Sequence, residues 1–132
     1  SAAGVGVSGV FLGEGTVDIY NPKVLRATMG AVFRVPVFQQ VDLITLIRKV
    51  KEAGFQTVAA EPRADKKYYR VDFRKGGHLI LIGNESRGIR AELLDLVDLR
   101  VSIPLVGGVE SLNAAVAASL ILYEIFRQRD QD

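Results

Sequence analysis

The sequence contains no cysteine and a single histidine, His78. The first absence excludes a disulfide framework and any thiolate metal site. The second leaves a zinc centre or a Ser-His-Asp triad to be built around one residue, so no metal is expected. Long hydrophobic runs are missing too. The longest apolar stretch, Leu112 to Ile125, is broken by Asn113, Ser119 and Glu124, which makes it too short and too polar for a membrane span. Ser1 to Val10 lacks the basic start of a signal peptide. These absences together predict a cytoplasmic protein. Neither sign of charge dominates: 17 basic residues face 15 acidic ones, a net charge of +2, too near balance to announce nucleic-acid binding.

What is present suits a globular domain. Apolar residues make up 48% of the 132 positions and charged residues 24%, and a chain of this length buries roughly two-thirds of its unfolded surface. Short apolar runs predict strands at Val7–Leu12, Phe55–Ala60, Leu79–Ile82 and Leu99–Ile103. Pro36 makes Val32–Phe38 an irregular or edge segment. Asn21 and Pro22 open a helix that runs to about Met29, with Asn21 as N-cap. Asp42–Ala53 carries Leu43, Ile44, Ile47 and Val50 at helical spacing and ends at Gly54 as C-cap. Arg90–Leu96 reads as a short helix and Asn113–Arg127 as a long one. Alternating helices and short apolar strands predict an α/β fold, a parallel sheet flanked by helices, in one domain. The last helix is apolar around most of its circumference, so it is expected to be covered on more than one side, by the sheet and by a second copy of the chain, or else to lie at the centre of one monomer.

Three glycine-rich segments invite a ligand reading. Gly4-Val5-Gly6-Val7-Ser8-Gly9 spells the dinucleotide fingerprint, but that motif needs a strand before it and a helix after it. Only three residues precede Gly4 and the residues that follow look like strand, so NAD-dependent redox chemistry is set aside. Leu81-Ile82-Gly83-Asn84-Glu85-Ser86-Arg87-Gly88-Ile89 places a glycine loop with an amide and a carboxylate at a strand end, where α/β proteins bind ligands. By itself it is equally a surface turn. Ile103-Pro104-Leu105-Val106-Gly107-Gly108-Val109-Glu110-Ser111-Leu112-Asn113 runs strand, glycine loop, helix, with Ser111 as the expected N-cap. By itself it is an ordinary capped helix.

Taken together, the two later segments resemble, in order and spacing, the paired C-terminal signatures of the SpoU/TrmH family of RNA ribose 2′-O-methyltransferases. The residues that carry the resemblance are Gly83-Asn84-Glu85 and Gly88, then Ile103-Pro104, Gly107 and Ser111-Leu112-Asn113. Tyr20 to Gly30 is similar to the family segment after the first strands. Tyr123-Glu124 and Arg127-Gln128-Arg129 are similar to its C-terminal end.

The resemblance implies a C-terminal deep trefoil knot of the SPOUT type, a homodimer and S-adenosylmethionine as cofactor. Carried over by position, Ala59, Gly83, Asn84, Ile103 and Leu112 would line the cofactor site, with Ala60 beside Ala59. Glu85, Ser111 and Asn113 would form the polar catalytic set. Residues 1–132 would be the S-adenosylmethionine-binding methyltransferase domain acting on rRNA or tRNA.

One departure concerns the start. The family has an Asn-x-Gly stretch and an Arg just before a segment like Ala2-Ala3-Gly4. The first strand and the first signature are therefore expected upstream of Ser1, and residues 1–132 alone are expected to be inactive. A non-catalytic RNA-binding or assembly protein that keeps the fold is the alternative. Ser86 stands where the family has glycine. A cluster of Arg63, Lys66, Lys67, Arg70, Arg74 and Lys75, with Tyr68, Tyr69 and Phe73 interleaved, suits RNA through phosphates and base stacking. It is tempered by Glu61, Asp65 and Asp72, and reads equally as a solvated loop. Arg26, Arg34 and Arg87 are further candidate RNA contacts.

Overall fold

The computed structural model describes residues 9–13, 36–83, 87–108 and 112–130. The expected helix after Pro22 lies outside them, as do Arg26, Arg34, Asn84, Glu85, Ser86 and Ser111. The chain divides into two compact units, residues 1–43 and 44–132.

In the first unit, β1 (Val10–Gly13) pairs in parallel with β2 (Val37–Val41), in the register Val10–Val37 and Phe11–Phe38. β2 starts directly after Pro36, so the proline sets the strand's beginning. The missing N–H of proline is harmless there. A strand, not a helix, follows Gly9, as the rejection of the dinucleotide motif required. The rings of Phe11 and Phe38 stack with centroids 5.0 Å apart.

Helix α1 (Leu43–Glu52) follows. Ile47 is buried while Arg48, Lys49, Lys51 and Glu52 are exposed, the outcome of apolar residues recurring every three to four positions. Its end is a Schellman cap. Phe55 N donates to Val50 O at 2.9 Å and Gly54 N to Lys51 O at 3.0 Å, with Gly54 at φ +90°, where any Cβ would be strained.

The second unit is built on a parallel three-stranded sheet ordered β4-β3-β5: β3 is Gln56–Ala60, β4 His78–Leu81 and β5 Leu99–Val101. The central strand is buried at Thr57, Val58 and Ala59 in succession. That explains why it shows no polar face in sequence: helices and loops cover both sides of a parallel sheet. Thr57, the one polar residue of the three, is satisfied by Asp98. Thr57 N and Oγ1 donate to Asp98 Oδ2 at 2.8 and 3.0 Å, and Asp98 N donates back to Thr57 Oγ1 at 2.8 Å. The Thr57 backbone N–H is the main reason that the Asp98 carboxyl is held below its ordinary pKa. Lys51 Nζ joins the clasp by donating to Leu96 O at 2.8 Å, so the end of α1 is tied to the entry of β5.

Helix α2 (Ala91–Leu94) is shorter than its predicted span, and α3 (Ala114–Arg129) ends two residues later than expected. The core joins Val58, Val71, Phe73, Val101 and Ile121, so α3 meets the sheet through Ile121 and the 71–73 segment. The polar end of α3 fastens that segment. Gln128 Oε1 accepts from Phe73 N at 2.7 Å, and Gln128 Nε2 donates to Val71 O at 2.9 Å. The parallel sheet and its flanking helices agree with the α/β prediction.

Candidate functional site

Because the three strands of the second unit run the same way, their C-terminal ends share one edge. Ala60 pairs with Val101, and Ala59 with Leu81. Continuing that register, Glu61 has Gly83 on one side and Ser102, the residue before Ile103, on the other. Two glycine loops therefore leave the sheet with one strand between them.

The β4 loop closes on itself. A Cβ on Gly83 would lie 2.5 Å from the Gly88 carbonyl carbon and 2.7 Å from Ile89 N. Backbone packs against backbone here, and only glycine allows it. Gly88 makes the return with φ +68°. Asn84 and Glu85, the residues between, lie outside the described part, and Arg87 is exposed.

The β5 loop is anchored by Ser102, a polar residue only 2% exposed. Ser102 N donates to Lys66 O at 2.8 Å, Ser102 O accepts from Tyr68 N at 3.0 Å, and Lys67 Nζ donates to Ser102 Oγ at 3.3 Å. The 66–68 segment thus extends the sheet by one bridge, Lys67 opposite Ser102. Next along, Ile103 packs against the core and is half-buried, as are Leu105 and Leu112. Gly107 and Gly108 turn the loop at φ +77° and +78°.

The expectation that Ser111 caps the last helix is corrected. The N-cap is Asn113, whose Oδ1 accepts from Ala115 N at 2.8 Å and from Val116 N at 3.3 Å. The helix starts at Ala114, two residues beyond the position that Ser111 could cap.

Other predicted residues fall as follows. Ala59 is fully buried in the central strand, whereas Ala60, at its end, is half-buried. Lys67 turns inward to Ser102. Lys66 and Arg70 are exposed, with no carboxylate of a described residue within ion-pairing distance. Arg74 is held by Asp72 through two bonds of 2.9 Å, which together keep the Asp72 carboxyl well below its usual range. Sequence reasoning did not single out Ser102, although it directly precedes Ile103-Pro104. Nor did it find the Gln128 clamp or the Thr57–Asp98 clasp. Those partners are 55 and 41 residues apart, and no local pattern marks them.

A parallel sheet with half-buried apolar residues and glycine loops at its C-terminal edge defines an α/β domain of the class whose ligand sites lie at that edge. The comparisons with known proteins narrow that class. The SpoU rRNA Methylase family matches residues 1–123, and the chain belongs to it. An uncharacterised tRNA/rRNA methyltransferase of Synechocystis is 36% identical over 129 residues, covering 98% of this chain and 47% of its own length. The 23S rRNA (guanosine(2553)-2′-O)-methyltransferase RlmP of Bacillus subtilis is 33% identical over 125 residues, covering 95% of this chain and 50% of its own. Among solved structures, the SpoU methyltransferase AviRb from Streptomyces viridochromogenes in complex with AdoMet is similar at a TM-score of 0.88 and 33% identity, covering 99% of this chain and 53% of that one. The chain spans about half the length of the curated relatives it matches.

Proposed function

We propose that residues 1–132 are the S-adenosylmethionine-binding domain of an RNA ribose 2′-O-methyltransferase acting on rRNA or tRNA in the cytoplasm. The observation that carries this reading is the closure of Gly83 against Gly88 and Ile89 beside the strand end at Ile103. The ends of β4 and β5, from which the two signature segments leave, share one edge of the parallel sheet, and this supports the reading. The residues present fit the cofactor. Ile103, Leu105 and Leu112 are half-buried apolar residues that would suit an adenine ring, and the main chain at Gly83, where no Cβ fits, would suit its polar edges. Ala59, Gly83, Asn84, Ile103 and Leu112 would hold the cofactor, which supplies a methyl group on a sulfonium when bound.

A ribose 2′-hydroxyl is a weak nucleophile and must lose its proton as it attacks. In-line placement of that oxygen is the larger part of the task. We assign Glu85 to orienting its neighbours by accepting hydrogen bonds, and Ser111 and Asn113 to positioning the ribose or the base. Asn113 suits this because its carboxamide is immobilised as the cap of α3. Arg26, Arg87, Lys66, Lys67 and Arg70 are the proposed RNA contacts, with Lys67 acting from its tether on Ser102. The SPOUT-type trefoil knot belongs to the same proposal.

So does a homodimer through α3. Val116, Leu120, Tyr123 and Phe126 recur at helical spacing and are 47%, 38%, 50% and 45% exposed. A stripe of that kind on a domain this small fits a second copy of the chain. No helix among the described residues is long and apolar enough to cross a membrane.

Calorimetric titration with S-adenosylmethionine and, separately, with NAD tests the reading. Binding of the first alone is expected. A chain that is folded and binds neither would remove the cofactor assignment and favour the non-catalytic alternative.

A further inference from the structure

The exposed residues Tyr69 and Arg70 are not explained by the fold. They sit on a 3-10 turn, Tyr68–Arg70, that is fastened rather than loose. Its entry is pinned to buried Ser102 by the Tyr68 and Lys67 hydrogen bonds, and its exit runs into the core at Val71. On that rigid base the Tyr69 ring is 45% exposed and meets Tyr68 edge-on at 5.4 Å. The Arg70 guanidinium lies 5.7 Å from the Tyr69 ring centroid, a cation–π distance. No carboxylate of a described residue claims Arg70. Arg70 also opens onto a shallow cleft shared with Arg74 and Arg127. The carboxylates that bind those two arginines also fix their direction: Asp72 holds Arg74, and Glu124 holds Arg127 at 2.9 and 2.8 Å.

An exposed aromatic face and an adjoining guanidinium that no described carboxylate pairs, beside a cleft lined by Arg74, Arg127 and Asp72, form a set suited to one chemistry. A planar base stacks on the Tyr69 ring, and its phosphate meets the Arg70 guanidinium, since the forks of Arg74 and Arg127 are already taken by Asp72 and Glu124. We propose that Tyr69 and Arg70 form a stacking platform for an unpaired base of the RNA, an inference that rests on the reading of this chain as an RNA methyltransferase domain. The turn is hydrogen-bonded to Ser102, immediately before Ile103. The platform is therefore carried by the segment that anchors the β5 loop, while its cleft extends toward the last turn of α3 at Arg127 and Gln128, so it would hold a nucleotide flanking the one that is methylated.

The test is fluorescence anisotropy of the 132-residue chain with a short single-stranded RNA, and with the same RNA carrying abasic sites, over a series of salt concentrations. Tyr69→Ala is expected to weaken binding roughly five- to 150-fold, and Tyr69→Phe to leave it unchanged. Removing the bases should cost the wild type the same factor and Tyr69→Ala little. Arg70→Gln should lower the slope of affinity against salt by about one, whereas Tyr69→Ala should not change it. Tyr69→Leu, apolar but without a π face, should behave as the alanine variant and guards against a folding artefact.

Wild-type affinity in Tyr69→Ala, an equal loss on both RNAs, or no RNA binding by the wild type would overturn the platform. The parallel titration with S-adenosylmethionine keeps the two ideas apart. Cofactor binding with an indifferent Tyr69 sinks only the platform. Stacking-dependent RNA binding without cofactor binding sinks only the methyltransferase reading.

Discussion

Arg129 Nη2 lies 3.1 Å from Nδ1 of His78, joining the last turn of α3 to the start of β4. A guanidinium only donates, so the contact is a hydrogen bond in the neutral imidazole, whose Nδ1 can accept, and is lost when His78 is protonated. Partial burial is the first cause that holds the His78 pKa below its ordinary value, and the Arg129 charge is the second; the Gly76 carbonyl and Asp72 oppose them.

A pH dependence follows from that contact. A histidine with a depressed folded pKa is charged more readily in the unfolded chain, so stability rises with pH between the two values. The contribution is complete above about pH 6.5 and is lost as pH falls toward the folded value. Urea midpoints should fall between neutral pH and about pH 5 in the wild type. In His78→Gln, which keeps an acceptor but cannot titrate, this part of the pH profile should be flat. Equal slopes in both proteins would remove His78 from the account.

Gln128 does for the 71–73 segment what a neighbouring strand would do, accepting from Phe73 N and donating to Val71 O. Gln128→Ala strands a backbone N–H on a buried residue. The expected loss is about 2 kcal/mol from the unmade bonds and the unsatisfied donor, read as a lower urea midpoint with an unchanged slope. Gln128→Glu keeps the acceptor for Phe73 N but sets a carboxylate against Val71 O and the Glu124 carboxylate, to both of which Nε2 donates, and at neutral pH it should be no more stable than Gln128→Ala.

Asn113 carries a structural duty separable from its proposed catalytic one. Asn113→Ala should cost about 1 kcal/mol through the lost cap. Asn113→Asp should keep the cap, since a carboxylate also accepts from Ala115 N and Val116 N, and should match the wild type in thermal unfolding. If Asn113→Asp nevertheless abolishes methyl transfer in the protein that contains this domain, the amide itself contacts the RNA. Full activity would confine Asn113 to capping.

Gly83→Ala tests the site directly. The added methyl meets main chain at 2.5 and 2.7 Å, and backbone cannot retreat as a flexible side chain can. Overpacking of this kind costs about 1–3 kcal/mol, and here the strain falls on a loop rather than the core. S-adenosylmethionine affinity should drop at least tenfold, and the thermal midpoint should fall by several degrees, as that strain requires. Retained affinity would mean that the closed loop is not part of the cofactor wall.

The sequence by itself determined the alternation of helices and strands, the parallel character of the sheet, and the glycines at 54, 83, 88, 107 and 108 that turn the chain. Each of these is written in neighbours a few residues apart: apolar spacing, a proline before β2, a glycine where φ must be positive. The paired signatures around Gly83 and Ile103 were legible for the same reason.

The tertiary structure alone decided which distant residues meet. It placed the cap at Asn113 instead of Ser111, tied Lys67 to Ser102, set Thr57 on Asp98, and turned Val116, Leu120, Tyr123 and Phe126 of an all-round apolar helix outward. Those outcomes depend on the path of the whole chain. A hydrogen bond between residues 41 or 55 positions apart forms only once packing has brought the two segments together, and an apolar helix shows which face is covered only when its neighbours are in place.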